Sequence, residues 1–509
     1  MSKLTALTKG LKGANTEFLS TIYKCCIRPF LEFGYAVWCS TTDIKRLHMV
    51  QYHALRKCCG AMKGTPASSL EVILGIIPID LRLDQVLFTT FLRISRNQDL
   101  KLNNKILELL NDNDFMDHRI ITCLHKFKMA TNCLNKEQDL NNVEAMNFMS
   151  MVDHTALKPI TILDAPGNFG SSSSRSNEQS KAALDAALHY IVNVHNDILA
   201  FTDGSALKNP GPCGAGAVIH WCGITSQATF HKKSISSKSN SYHGELQAIL
   251  LALQIVCDRR PVVHGRTVHV LTDCQSALQA VAGLNAEDNY GSVIRKIQHC
   301  VNDLATRNVL VNIKWIAGHI NLSGNDAADY LAKQAATNAI ELDCNEPLSV
   351  SEAKSFLRRA NLCRWQKRWN NDPTGRFTYD IIPCVKEGKY KSIGSRATEV
   401  KFNRLRTGFT LLNVHMNRIL PEIYTSPNCD CGQKLGTVEH FLTECILFKD
   451  MRVELYDKIE RIFQKNNTPT HKRIINKYVL LGQSSLPQKI AIQIHIAVAS
   501  FIRATGVDI

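Results

Sequence analysis

Ile198-Leu199-Ala200-Phe201-Thr202-Asp203-Gly204-Ser205 is the stretch that decides the fold. Its first five residues are apolar or β-branched and read as a buried strand, and the run ends on a carboxylate followed by glycine. Thr267 to Leu271 reads as a second such strand, and it delivers Asp273 in Leu-Thr-Asp-Cys-Gln. Two more acids lie inside helical patterns. Glu245, in Tyr-His-Gly-Glu-Leu, is placed in the first turn of a helix whose Leu246, Ile249, Leu250 and Leu253 face a core. Asp329, in Asn-Asp-Ala-Ala-Asp, is placed one turn into a last helix beside Ala328, Leu331 and Ala332. In α/β sheets ligands are met at the carboxyl ends of strands. Acids gathered there from strand ends and helix faces suit a pair of Mg²⁺ ions engaged in phosphodiester chemistry. Taken singly, each acid also has a plainer reading: a turn residue for Asp203, and dipole-favoured acids near helix N-termini for Glu245 and Asp329.

Working outward, Gly214 to Trp221 and Thr225 to His231 read as hairpin partners of the first strand, and Val309 to Ile316 as a further strand. Glu245 to Val256, Ser276 to Val281, Val293 to Ala305 and Asp326 to Ala336 read as helices. Three strands followed by alternating helix and strand describe an α/β fold, a mixed five-stranded sheet with flanking helices. On either side the apolar residues recur at helical spacing, so mainly α regions are expected at both ends. The division that follows is 1–163 mainly helical, 164–190 linker, 191–341 α/β domain and 342–509 basic helical tail. The linker is clearest from Asp164 to Ser180, which is small and polar with no periodic apolar face.

At 509 residues the chain has room for two to four domains. Its 60 Lys+Arg against 45 Asp+Glu give a formal charge of +15, which favours a polyanion, either nucleic acid or a membrane surface. Residues 345–509 carry 26 Lys+Arg and 15 Asp+Glu, hence most of the excess, whereas 195–340 carry 12 and 10. The central segment therefore reads as the chemistry and the last third as a nucleic-acid grip. The N-terminus shows no charged-then-apolar leader. The apolar run Ile490 to Ile502 is interrupted by Gln493 and His495 and is too short to span a bilayer. A soluble, intracellular protein without a membrane partner is expected, with nucleus and cytoplasm not distinguished. The 18 cysteines include adjacent pairs, Cys25-Cys26 and Cys58-Cys59, that suit reduced thiols better than a disulfide framework.

The motifs around the four acids carry a resemblance. Thr202-Asp203-Gly204-Ser205 with Asn209-Pro210-Gly211-Pro212, Gly244-Glu245-Leu246 with Ala248 and Ala252, Thr272-Asp273-Cys274-Gln275-Ser276, and Trp315-Ile-Ala-Gly-His319 followed by Gly324-Asn325-Asp326-Ala-Ala-Asp329 together resemble a type 1 ribonuclease H. The resemblance implies that Asp203, Glu245, Asp273 and Asp329 ligate two Mg²⁺ ions about 4 Å apart, with Mn²⁺ as a substitute. It implies an attacking water activated by one ion, a leaving 3′ oxygen stabilised by the other, and the RNA strand of an RNA–DNA hybrid as substrate. His319, on a Gly-containing loop, would assist proton transfer or product departure; the plainer alternative is a loop histidine without a role. Asn209 and Gln275 match positions that contact the RNA strand, where reading the 2′-OH separates RNA from DNA; Gln275 reads equally well as a helix-capping or solvated residue. Cys274 departs from the family's usual Ser. Ser239-Asn240-Ser241-Tyr242-His243 departs from the Asn-rich substrate-contacting element.

In the flanks, Cys429-Asp-Cys431-Gly432, His440 and Cys445, within a module at about 425–448, either hold one structural Zn²⁺ or are three ordinary thiols and a core histidine. Arg358-Arg359 and Arg364-Trp365-Gln366-Lys367-Arg368-Trp369 either grip phosphates and stack on bases, or form a helix with buried tryptophans and solvated arginines. The Cys/His module with its basic helix resembles the tail of some non-LTR retrotransposon polyproteins. Ile22-Tyr23, Arg28-Pro29, Leu31-Glu32, Gly34, Val37-Trp38, Val50-Gln51, Ala54-Leu55-Arg56, Thr65-Pro66 and Leu74-Gly75 resemble the thumb-like segment that follows their polymerase core. No Asp-Asp dipeptide occurs in the chain, so a piece beginning after the polymerase active site, without DNA synthesis, is expected. Two functions remain open at this point: an Mg²⁺-dependent hybrid endoribonuclease, and a non-catalytic nucleic-acid-binding remnant of a mobile element.

Overall fold

A computed structural model of the chain describes residues 13–35, 41–95, 160–163, 175–194, 196–259, 265–283, 290–340, 350–388, 390–470, 473–482 and 486–509. Val37-Trp38, linker residues 164–174 and the expected domain boundary at 341–342 lie outside these. The described residues divide into two compact units, one assembled from 13–90 and 357–509, the other from 91–95 and 160–356.

The second unit holds a six-stranded mixed sheet. Its elements are β1 (Ile160–Leu163), α1 (Asn177–Asn193), β2 (Ile198–Ala206), β3 (Gly211–His220), β4 (Ala228–Ser239), α2 (Ser241–Asp258), β5 (Thr267–Thr272), α3 (Gln275–Val281), α4 (Gly291–Thr306), β6 (Leu310–Trp315) and α5 (Ser323–Asn338). The strand order is β1-β6-β5-β2-β3-β4, with β2, β3 and β4 antiparallel and β2, β5, β6 and β1 parallel. The five expected strands are all present. Alternation along them builds a core on each face, because successive side chains point to opposite sides of the sheet. Ile198, Ala200, Ala217 and Ile219 join Leu246, Leu253, Ile297 and Val301 of α2 and α4 on one side. Leu199, Phe201, Val218 and Leu271 join Ala328 of α5 on the other.

Two elements depart from expectation. β1 extends the sheet beyond β6, with Ile160 opposite Val311 and Leu163 opposite Lys314. Residues from Asn177 onward, read as part of a linker over 164–190, form α1. The Ser176 hydroxyl accepts from Gln179 N–H while the Gln179 side chain accepts from Ser176 N–H, a reciprocal box that closes the helix N-terminus. Ala183, Ala187 and Ile191 then pack on Leu199, Phe201 and Ile316. Ile191 is 2% exposed, so Ile191→Ala should cost about 2–4 kcal/mol. The readout is hydrogen exchange at β2 and β5 amides; unaltered protection there would mean that α1 contributes nothing to the sheet.

In the first unit, sequence-distant segments share one core. Leu19, Tyr23, Leu55 and Leu70 pack with Trp365, Trp369, Phe402, Ile459, Phe463 and Ile502. Buried polar bonds tie them: Asn361 Nδ2 donates to Leu81 O (2.9 Å), and Arg396 donates to Thr16 Oγ1 (3.1 Å) and Lys57 O (2.7 Å). Trp365 and Trp369 are buried, with the Trp369 indole donating to Ile382 O. Arg364 pairs with Asp84 and Arg368 with Asp80. Of the two readings of this helix, the structure takes the buried tryptophans, because the i, i+4 indoles form its apolar stripe.

Glu71 lies in this core, accepting from Gln51 Nε2 at 2.9 Å. Burial pushes its carboxyl up to about 8, with the Gln51 bond pulling the other way. A carboxyl raised on folding binds more protons in the native state, so its contribution is present below the unfolded value and is lost as pH rises through about 8. Stability of this unit should fall between pH 5 and 9, and Glu71→Gln should flatten that slope in urea titrations. Equal slopes for both chains would contradict the assignment.

Candidate active site

The parallel register explains why the first two acids meet. Thr202 of β2 is paired with Thr272 of β5, so the next residue of each strand, Asp203 and Asp273, emerges at the same carboxyl edge. Asp203 is not the last residue of its strand, as the sequence reading had it. β2 runs on to Ala206 against β3, but its pairing with β5 stops at Thr202. Beyond Asp273 the chain turns, with Cys274 N–H donating to Thr272 Oγ1 (3.2 Å), and α3 starts at Gln275.

Glu245 arrives from α2, which begins four residues earlier than expected. Asn240 caps it by accepting from His243 N–H at 2.9 Å, and Glu245 is therefore in the second turn and buried. β2 and α2 approach at two glycines. A Cβ on Gly204 would fall 2.0 Å from Glu245 N, so glycine there is what allows the two carboxylates to share a site. The ligand oxygens of Asp203, Glu245 and Asp273 lie within 4.8 Å of one another. Asp329 comes from α5, nearly two turns in since the helix starts at Ser323, and is not one of the three within 4.8 Å, but its carboxylate lies beside Asp203. It is paired with Lys333 Nζ at 2.6 Å. Lys333 was missed from sequence, although its i+4 spacing from Asp329 is the signal that finds it.

The electrostatics match the crowding. Burial first, then the Asp273 and Asp329 charges, push Asp203 up to about 8, with Lys333 opposing. Burial and the Asp203 and Asp273 charges hold Glu245 well above its ordinary range. Asp273 is raised by burial, against the influence of His319. Glu245 Oε2 is buried with no hydrogen-bond partner. An orphaned carboxylate oxygen among mutually repelling acids is the arrangement a hard divalent cation relieves, so the donor set fits Mg²⁺.

His319 is exposed on the loop between β6 and α5, at φ 55°, and the preceding Gly318 lies against Asp273. Asn209 is exposed, and its side chain bonds Ser241 through both amide atoms: Nδ2 donates to Ser241 Oγ (3.1 Å) and Oδ1 accepts from Ser241 N–H (3.3 Å). Gln275 is exposed as the first residue of α3. The fold thus sets Asn209 against the N-terminal turn of α2 and leaves Gln275 directly after the Asp273 turn.

Elsewhere in the chain, Cys429, Cys431, His440 and Cys445 bring their ligand atoms within 4.8 Å of one another. Cys429 Sγ and Cys445 Sγ are 3.7 Å apart, and Cys431 Sγ is 3.2 Å from His440 Nε2. Metal–sulfur bonds of about 2.3 Å in a tetrahedron give a sulfur–sulfur edge of about 3.8 Å. Glu444 Oε2 stands 3.5 Å from the other ring nitrogen, Nδ1, where it can orient the imidazole. N–H groups of Gln433 and Lys434, with the His440 ring, pull Cys431 down to about 6, toward the thiolate a metal binds. This donor set fits Zn²⁺. Among the described residues no helix is long and apolar enough to cross a membrane.

Residues 195–337 match the family model for RNase H. A ribonuclease H from Nitrosococcus oceani is 31% identical over 152 residues, 28% of this chain and 95% of that protein. A retrovirus-related Pol polyprotein from the type-1 retrotransposable element R1 of Bradysia coprophila is 31% identical over 108 residues, 21% of this chain; the match spans only 10% of that polyprotein's length. Among solved structures, LC11-RNase H1 in complex with an RNA/DNA hybrid aligns with 28% of this chain and 99% of its own, at 22% identity and a TM-score of 0.25.

Proposed function

Through residues 195–337 this chain belongs to the ribonuclease H family, and on that footing we propose that it hydrolyses the RNA strand of RNA–DNA hybrids endonucleolytically at a two-metal site. The observation that carries the reading is the convergence of Asp203, Glu245 and Asp273 within 4.8 Å, with a buried Glu245 oxygen left unpartnered. Mg²⁺, or Mn²⁺ in its place, supplies activation of the attacking water and stabilisation of the leaving 3′ oxygen when bound. The chain's own residues do the rest. Asp203, Glu245 and Asp273 hold the cations in a partly desolvated cleft where their charge is effective. Asp329, its charge shared with Lys333, completes the set from α5. His319, exposed on its loop, is free to carry a proton or help the product leave. Asn209 and Gln275 contact the RNA strand, where a 2′-OH distinguishes it from DNA.

The Cys/His module holds one structural Zn²⁺. The excess positive charge of residues 345–509 supplies further nucleic-acid contacts through phosphates alone, since the tryptophans of that region are buried. A retroelement origin is favoured by the R1 relative together with the Cys-x-Cys, His, Cys tail. The test is cleavage of a hybrid labelled on the RNA strand, in millimolar Mg²⁺ and in EDTA. Cutting in Mg²⁺ alone is expected. Tight, salt-dependent hybrid binding without cutting would instead favour a non-catalytic binding remnant.

A further inference from the structure

The loop that carries His319 is tethered from outside the family match. Among the described residues, the backbone of 317–321 makes no hydrogen bond to other backbone: the ladder ends where Ile316 N–H donates to Thr272 O, and α5 takes over where Asp326 N–H donates to Leu322 O. Two of its five residues, His319 and Asn321, have positive φ, at 55° and 60°. A segment bent in this way needs an external hold to keep one conformation. The hold comes from Arg175, next to the residue that caps α1, whose Nη1 donates to Gly318 O at 2.8 Å. Gly318 in turn packs against the metal-facing carboxylate: a Cβ placed on it would come 2.2 Å from Asp273 Oδ2. The indole of Trp315 donates to Asp273 O at 2.9 Å, fixing the base of the loop from the strand side.

We infer that Arg175 is a positioning residue for the reaction, a clamp through which α1 fixes Gly318 and so sets His319 beside Asp273. The inference rests on the hybrid-cleavage reading for its effect on rate, but the clamp itself is a property of the fold. α1 is docked by Ala183, Ala187 and Ile191 on the sheet face that carries Phe201 and Ile316, so the guanidinium is offered from a fixed element. A loop whose histidine handles a proton loses rate steeply when it wanders.

Two measurements on the full chain decide the matter. In backbone NMR relaxation, Arg175→Ala should drop the order parameters of residues 318–321 from about 0.85 to below about 0.6 and leave those of β5 and β6 unchanged, whereas Arg175→Lys, which retains a cationic donor, should recover part of the order. Unchanged order parameters at 318–321 in Arg175→Ala overturn the clamp whether or not the chain cuts RNA. In steady-state hybrid cleavage, Arg175→Ala should lower kcat about tenfold with KM within about twofold, and adding it to His319→Ala should cost nothing more than His319→Ala alone. Additive losses, or a KM effect with kcat intact, would overturn action through His319. Absence of cleavage by the unaltered chain would count against the hybrid-cleavage reading, with the relaxation result still deciding the clamp.

Discussion

Asp203→Asn should reduce hybrid cleavage by a factor of about 10³ or more and, in EDTA, raise the melting temperature of the catalytic unit by about 3 °C or more. The two effects have one cause. Asp203 is 7% exposed, and burial together with the Asp273 and Asp329 charges raises its carboxyl to about 8. Without a cation, folding at neutral pH obliges Asp203 to give up its charge by taking up a proton, a cost that the nearly isosteric, uncharged Asn does not carry. Removing a charge that helps bind metal should therefore stabilise the empty site and disable the loaded one, the trade expected where function requires a strained arrangement. Differential scanning calorimetry beside the cleavage assay reads both. A variant that is inactive and less stable in EDTA would point to a structural role for Asp203 instead.

Removing zinc should have the second large effect. Cys429→Ser and Cys445→Ser should each take the metal content of the purified chain from about one zinc to none and release the module at 425–448. Apparent binding free energies for structural Zn²⁺ are about 10–16 kcal/mol, enough to decide whether a small segment folds. The consequence should reach beyond the ligands. Val438, Phe441 and Leu442 of this module belong to the core that also contains Leu455, Ile459 and Phe463, and Arg452 reaches back to donate to Leu442 O at 3.1 Å. Helix Lys449–Lys465 should accordingly lose hydrogen-exchange protection when a strong chelator is added. A metal-free chain whose protection is indifferent to chelator would remove zinc from the account.

The acids were legible because each lies in a short segment with its own local signal, a β-branched run before Asp203 and helical apolar spacing after Glu245. Their meeting was legible only through the resemblance carried by their flanking motifs, since it depends on Thr202 pairing with Thr272 across seventy residues of chain. The start of α2 was placed late because Ser241-Tyr-His-Gly has weak helix propensity, and the Asn240 cap settles it. α1 was lost against a serine-rich approach, although Ser176-Asn-Glu-Gln179 is a capping-box pattern and Ala183, Ala187 and Ile191 repeat at four-residue spacing. β1 is four residues long and finds its partner 151 residues away, a pairing no local pattern encodes. The same holds for the first unit: sequence left Arg364 and Arg368 open between a phosphate grip and a solvated helix face, and their partners Asp84 and Asp80 come from the other end of the chain.

The central claim is the reaction, and cleavage specificity tests it most directly. The full chain should be given three substrates of one sequence in millimolar Mg²⁺: an RNA–DNA hybrid, the single-stranded RNA and the all-DNA duplex. The account predicts cuts within the RNA of the hybrid alone, leaving 3′-hydroxyl ends, with loss of all cutting in EDTA and in Asp203→Asn. Cutting that persists in both, or that falls equally on free RNA, would contradict it.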